Sequence, residues 1–151
     1  MKRISNQIEI NKPVKEVWEF VLQPATFTLW TEVFTKGSYY EGSMEEGSSI
    51  RFLAKNAEGH IDGMVGEIAE NKLHEYLSIR HLGWVFDGKD DTESEGVKSW
   101  APAYENYKFE KLNEENTLLT IEADLSETYY EQFLELWPKA LQRIKHLCEE
   151  G

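Results

Sequence analysis

The strongest constraint on this chain is its C-terminal segment. Ser126–Glu150 carries apolar side chains at Tyr130, Phe133, Leu134, Trp137, Leu141, Ile144 and Cys148, spaced by three and four residues. That is the period of an amphipathic α-helix. The chain between this helix and an earlier helical segment reads as short antiparallel strands. A single long helix that follows such strands must bury its stripe on their sheet, which sets an α+β architecture and can leave a pocket between the two layers. Thr128-Tyr129-Tyr130-Glu131 fits a capping box at the helix start. Pro138 lacks the N–H that would bond the Leu134 carbonyl, so a kink is expected there.

Upstream, Ile4, Ile8 and Ile10 alternate with polar residues, the mark of a strand with one wet face. Pro13 suits the first turn of a helix, and Val14, Val17, Trp18 and Val21 recur at helical spacing until Pro24 ends the run. A second short helix is expected over Ala25–Trp30. Glycines then punctuate candidate strands at Thr35–Glu41, Ser49–Lys55, His60–Ala69 and Glu75–Trp84. The acidic stretch Asp87–Ser99 reads as a long loop. Ala103–Leu112 and Thr117–Asp124 complete a sheet of about seven strands. No repeat or linker divides the chain, so residues 1–151 are expected to form one domain.

Charge and composition exclude several function classes. The formal net charge is -12, and such a surface repels phosphate backbones and anionic bilayers, so no nucleic-acid partner is expected. No stretch is long and apolar enough for membrane insertion, and no continuous apolar run follows Met1-Lys2-Arg3, so a cytoplasmic protein is expected. The single cysteine, Cys148, lies on the apolar stripe and reads as a buried structural thiol. His60, His74, His81 and His146 make no ligand pair at zinc spacing. Asp91-x-Glu93-x-Glu95-Gly96 imitates the opening of a calcium loop, but Pro102 stands where the bidentate glutamate belongs. Gly63-Met64-Val65-Gly66 has the wrong spacing for a dinucleotide fingerprint, and no nucleophile–base pair is visible. Neither a metal nor a cofactor is expected.

Three segments carry a family resemblance. They are Ile10-Asn11-Lys12-Pro13-Val14-Lys15-Glu16-Val17-Trp18 with the later Trp30, Gly63-Met64-Val65-Gly66-Glu67-Ile68 leading to Leu73, and Trp137-Pro138-Lys139-Ala140-Leu141-Gln142-Arg143-Ile144-Lys145. Together with the element order, they resemble the helix-grip fold of the START-like superfamily, also called SRPBCC or Bet v 1-like, and most closely its Hsp90-ATPase-activator-homologue-like branch. The resemblance implies a curved antiparallel sheet gripping the last helix. It implies a function drawn from lipid carriage, hormone reception, cyclase or hydrolase chemistry, or co-chaperone interaction. The activating Asn- and Trp-rich motif of co-chaperone members is absent from these residues.

The candidate site follows from strand parity. Leu77 and Ile79 set the inner face of their strand, which places His81 on it; Tyr107 and Phe109 do the same for Glu105. Antiparallel pairing then brings His81 and Glu105 together near one mouth of the pocket. The pair reads as a structural contact that satisfies two polar groups, as a handle for a ligand head group, or as a general acid–base pair. Opposite charge would support an imidazolium beside a carboxylate, while desolvation would oppose both. The expected partner is a small hydrophobic or amphipathic molecule held by His81, Glu105 and Tyr107 at its polar end, with Trp137, Phe133, Phe52 and Tyr39 lining the rest. Trp84 and Trp100 bracket the acidic loop and are placed to cover a pocket mouth.

Overall fold

A computed structural model describes all 151 residues. The elements run β1 (Lys2–Ile10), α1 (Val14–Leu22), α2 (Pro24–Thr31), β2 (Tyr39–Gly42), β3 (Ser49–Lys55), β4 (Ile61–Lys72), β5 (Tyr76–Phe86), β6 (Lys89–Asp91), α3 (Glu95–Lys98), β7 (Ala103–Asn113), β8 (Asn116–Leu125) and α4 (Glu127–Glu150). The strands form one curved antiparallel sheet in the order β1-β8-β7-β5-β4-β3-β2, with β6 pairing on β5. This is the expected α+β helix-grip architecture.

Alternation builds the inner face. Ile4 and Ile10 of β1 are buried and stand opposite Ala123 and Thr117 of β8. Ile50, Ile68, Leu77, Ile79, Tyr107, Phe109, Leu119 and Ile121 extend the same surface across the sheet. Val17, Trp18 and Val21 of α1, Phe27 and Trp30 of α2, and Trp137, Ala140, Leu141, Ile144 and Cys148 of α4 pack onto it. Trp30 is a node of this core: its Nε1 donates to the Val21 carbonyl at 3.0 Å, and its ring meets Phe27, Tyr107 and Trp137. Only the C-terminal half of α4 is buried in this way. Tyr130 and Phe133 are half-buried, and Leu134, expected on the stripe, is exposed.

Several expectations need correction. The helix start at Thr128 is displaced: α4 begins at Glu127, the cap is Ser126 in extended conformation, and no side-chain capping bond forms. Pro24 does more than end α1, because it occupies the first turn of α2, where its missing N–H costs nothing. The strand expected from Thr35 begins only at Tyr39, since α2 gives way to turns through Ser38. His74, beside the turn into β5, takes a positive φ of 63° and sets its ring against the Trp18 indole at 6.0 Å.

The largest correction concerns Asp87–Ser99, which is a structured flap. Asp87 and Gly88 both take positive φ, 48° and 77°, and turn β5 back into β6. An Asp-Gly dipeptide is a strong hairpin signal, because both residues tolerate the twist the turn requires. Asp91 Oδ1 then accepts from the Glu93 and Ser94 amides at 3.2 and 3.0 Å, and the Ser94 side chain, together with those amides, holds its carboxyl below its ordinary range. Ser94 caps α3 by accepting from the Val97 amide at 3.3 Å. Gly83 permits the close approach of this flap: a Cβ there would lie 2.1 Å from the Asp91 carbonyl oxygen.

Candidate functional site

Trp30, Tyr107 and Trp137 fill the space under the middle of α4. Beyond them, under its N-terminal half, a cavity of about 290 Å³ remains. Its walls come from the end of β5 (His81, Trp84), the start of β7 (Ala103, Tyr104, Glu105), the end of β8 (Ala123, Asp124, Leu125) and α4 (Tyr129, Gln132, Phe133, Trp137). Trp100 from the flap and Met64 from β4 close it, with the exposed Met1 and Tyr129 at its rim.

The parity argument places the polar group as expected. Ile79 stands opposite Glu105 and His81 opposite Ala103, so the two polar side chains are diagonal neighbours on the inner face. His81 Nε2 lies 3.1 Å from Glu105 Oε1, and the Tyr107 hydroxyl donates to Glu105 Oε2. His81 is only 6% exposed, and Phe52 presses on its ring edge-on at 5.6 Å. Burial, reinforced by the adjacent Glu105, pushes the Tyr107 phenol well above its ordinary pKa. With Nε2 turned to Glu105, His81 Nδ1 is buried and has no hydrogen-bond partner. The Trp100 Nε1 is also buried and unpartnered, and it too belongs to a residue of the cavity wall.

A β-bulge brings the aromatics to this group. Gly66 pairs with His81 but Val65 pairs with Gly83, so Leu82 is an extra residue in β5. Simple alternation would put Trp84 on the face opposite His81. The bulge reverses the alternation, sets Trp84 beside Met64, and lets its ring meet Trp100 at 5.0 Å and Tyr129 at 6.3 Å. Gly66 makes the pairing possible, because a Cβ there would lie 2.3 Å from the Arg80 carbonyl oxygen.

Of the residues singled out in the sequence, His81, Glu105, Phe133 and Trp137 line the cavity, and Tyr107 and Phe52 support its polar corner. Tyr39 does not join them. It stands opposite Leu53, whereas Tyr40, opposite Phe52, takes the inner position, donates to the Leu22 carbonyl at 2.7 Å and packs on Phe27. Met64 and Tyr129 were not anticipated as wall residues. Met64 follows from the even parity of Gly66 and Ile68 in β4, but Tyr129 lies off the buried stripe and carries no sequence signal. Asp124 is committed to structure. Burial raises its carboxyl, but Arg3 Nε at 2.8 Å and the Tyr104 amide at 3.0 Å outweigh that and hold it below the usual range.

No protein-family model matches the chain, and no curated protein matches it in sequence. Solved structures do match its fold. ChR145 from Cytophaga hutchinsonii has a TM-score of 0.72 at 15% identity, covering 99% of this chain and 95% of that one. DynU16, from the dynemicin biosynthetic locus, has a TM-score of 0.69 at 19% identity, and 99% of this chain spans 48% of DynU16, about half its length. CalU16 from Micromonospora echinospora has a TM-score of 0.63 at 20% identity, with coverages of 96% and 73%. The chain therefore shares a helix-grip-like curved-sheet fold with these proteins, and that likeness is one of architecture.

Proposed function

We propose that the protein binds a small hydrophobic or amphipathic molecule between the sheet and the N-terminal half of α4. One observation carries the reading: a cavity of about 290 Å³, walled mainly by aromatic and aliphatic side chains, includes a buried histidine with an uncommitted ring nitrogen. Ligand sites are mostly apolar with a few placed polar groups, and a core histidine kept only for packing has no need of a neighbouring void. Trp137 and Phe133 form the apolar wall of the site, and His81, oriented by Glu105 and Tyr107, is its polar end. Within the START-like superfamily, we assign the chain to the Hsp90-ATPase-activator-homologue-like branch on its resemblance over Ile10–Trp18 with Trp30, Gly63–Ile68 leading to Leu73, and Trp137–Lys145.

The test is thermal stabilisation across a library of lipids and aromatic compounds, followed by titration of tryptophan fluorescence, since Trp84, Trp100 and Trp137 all border the cavity. Compounds that raise the melting temperature and quench fluorescence saturably support the reading; a library without a single hit removes it. The Tyr107–Glu105–His81 chain favours one second reading, a cyclase- or hydrolase-type enzyme in which His81 Nδ1 accepts a substrate proton. Turnover of an identified substrate that survives replacement of His81 would eliminate it.

A further inference from the structure

We infer that a second pocket, at the elbow between α1 and α2, binds a small primary ammonium ion carried on a compact apolar body, with Glu19 as its counter-ion. The inference is independent of the ligand reading above, because this pocket shares no wall residue with the cavity under α4. Its volume is about 230 Å³. The last turns of α1 supply Trp18, Glu19 and Leu22 to its wall, β2 supplies Tyr40, the turn after β2 supplies Met44, and β4 supplies Asn71.

The charge of the ligand follows from the wall. Glu19 is its one charged side chain, half-buried and outside every ion pair of the protein. The Tyr40 phenol is occupied, donating to the Leu22 carbonyl at 2.7 Å. α1 ends here, so the negative pole of its dipole adds to the Glu19 charge, and no basic residue stands in that last turn. The nearby cations leave the carboxylate uncompensated. Lys15, one turn earlier on α1, forms no ion pair, Lys72 turns to Glu70, and His74 lies against the Trp18 ring. An acidic side chain at a helix C-terminus is unfavourable for the helix alone, and an arriving cation relieves it.

The form of the cation follows from the acceptors. Asn71 Nδ2 donates to the Met44 carbonyl at 2.8 Å, which leaves Oδ1 as the acceptor end of the amide without a donor from the protein. The Asn71 backbone amide donates to Glu46 Oε1 at 3.1 Å, so a second carboxylate stands close behind the wall. A primary ammonium carries three N–H donors and can serve Glu19 and Asn71 together, whereas a trimethylammonium carries none. Trp18, Leu22 and Met44 give the body of the molecule an apolar surface, and indole and thioether groups both suit a hydrocarbon that bears a cation.

Three probes of one shape test this on the unaltered protein: cyclohexylmethylamine, its N,N,N-trimethyl derivative and cyclohexylmethanol. Titrations are followed by ¹H–¹⁵N NMR at physiological salt in slightly alkaline buffer, where alkylammonium groups stay charged and imidazoles ordinarily do not. The amine is expected to shift the Trp18 indole and Asn71 side-chain signals saturably and to leave those of Trp84 and Trp100 in place. The other two probes should bind roughly tenfold more weakly, the loss of a hydrogen bond to a charged group. Glu19→Gln should bring the amine down to the level of the alcohol. Glu58→Gln, an exposed acid in the turn between β3 and β4, should change nothing. If Glu19→Gln does not fold, the three probes on the unaltered chain decide. Equal binding of the three probes, shifts confined to Trp84 and Trp100, or no saturable shift overturns the inference. So does an equal loss in Glu58→Gln, which would mean diffuse attraction to the acidic surface. Each of these results leaves the cavity under α4 untouched as a ligand site.

Discussion

At the scale of single residues, the polar corner of the cavity is held by one carboxylate doing two jobs. Glu105 receives the Tyr107 hydroxyl on one oxygen and His81 Nε2 on the other. Glu105→Ala would leave a fully buried phenol unpaired, which costs about 1–3 kcal/mol. Adding Tyr107→Phe should return part of that loss, so urea unfolding of the two single variants and the double variant is expected to be non-additive. Additive losses would mean that the Tyr107–Glu105 bond contributes nothing. Buried acids also shape the alkaline limb of stability. Burial pushes the Cys148 thiol from 9.0 up to about 11, and Tyr107 rises above 10.0 for the same reason, reinforced by Glu105. In both cases the unfolded chain releases its proton first and the folded chain resists. Stability from these groups is therefore complete below pH 9 and declines as the pH climbs through about 11. Denaturant midpoints measured across that range should fall, and Cys148→Ala and Tyr107→Phe should each flatten the slope. A level profile in the parent protein would contradict the burial of both groups.

At the scale of elements, α4 is two half-helices with different roles. Its C-terminal half buries Trp137, Ala140, Leu141, Ile144 and Cys148 in the core, while its N-terminal half stands over the cavity. Pro138 sits at the junction, exposed, with helix continuing on both sides. An exposed proline inside a helix forfeits a backbone hydrogen bond and packs against nothing that repays it. Pro138→Ala should therefore stabilise the protein by up to about 3 kcal/mol, read as a higher melting temperature. A lower one would show that Trp137 is seated only when the backbone departs from ideal helix at this point. The flap illustrates the same division between anchoring and covering. Its strand and helix are tied down by the Asp87-Gly88 turn, the Asp91 bonds and the Ser94 cap, and their product is the position of Trp100 over the cavity.

At the scale of the whole molecule, the balance of 28 acidic against 16 basic side chains leaves a formal net charge of -12. Surface ion pairs such as Arg51–Asp90 offset only part of the resulting self-repulsion. Raising ionic strength from roughly 0.01 to 0.15 M shortens the Debye length from about 30 to about 8 Å. The melting temperature should rise over that interval, and a fall would mean that attractive pairs outweigh repulsion. What could be read along the chain was whatever depends on local period. The three- and four-residue spacing of α4, the alternation of Ile4, Ile8 and Ile10, and the shared parity of Leu77, Ile79 and His81 each specify a face without reference to distant residues. The Asp87-Gly88 hairpin was equally legible, but the acidity of the segment that follows obscured it. What could not be read depends on register or on volume. The extra residue at Leu82 reverses the side-chain alternation of β5, so Trp84 joins His81 by virtue of pairing with β4 rather than by its own position. Adjacent tyrosines make β2 ambiguous, and its register with β3 chose Tyr40 over Tyr39 for the interior. The void itself exists because Trp30, Tyr107 and Trp137 fill one half of the space beneath α4 and stop short of the other. Such a remainder is a sum over side chains from every layer of the fold, and no local stretch of sequence contains it.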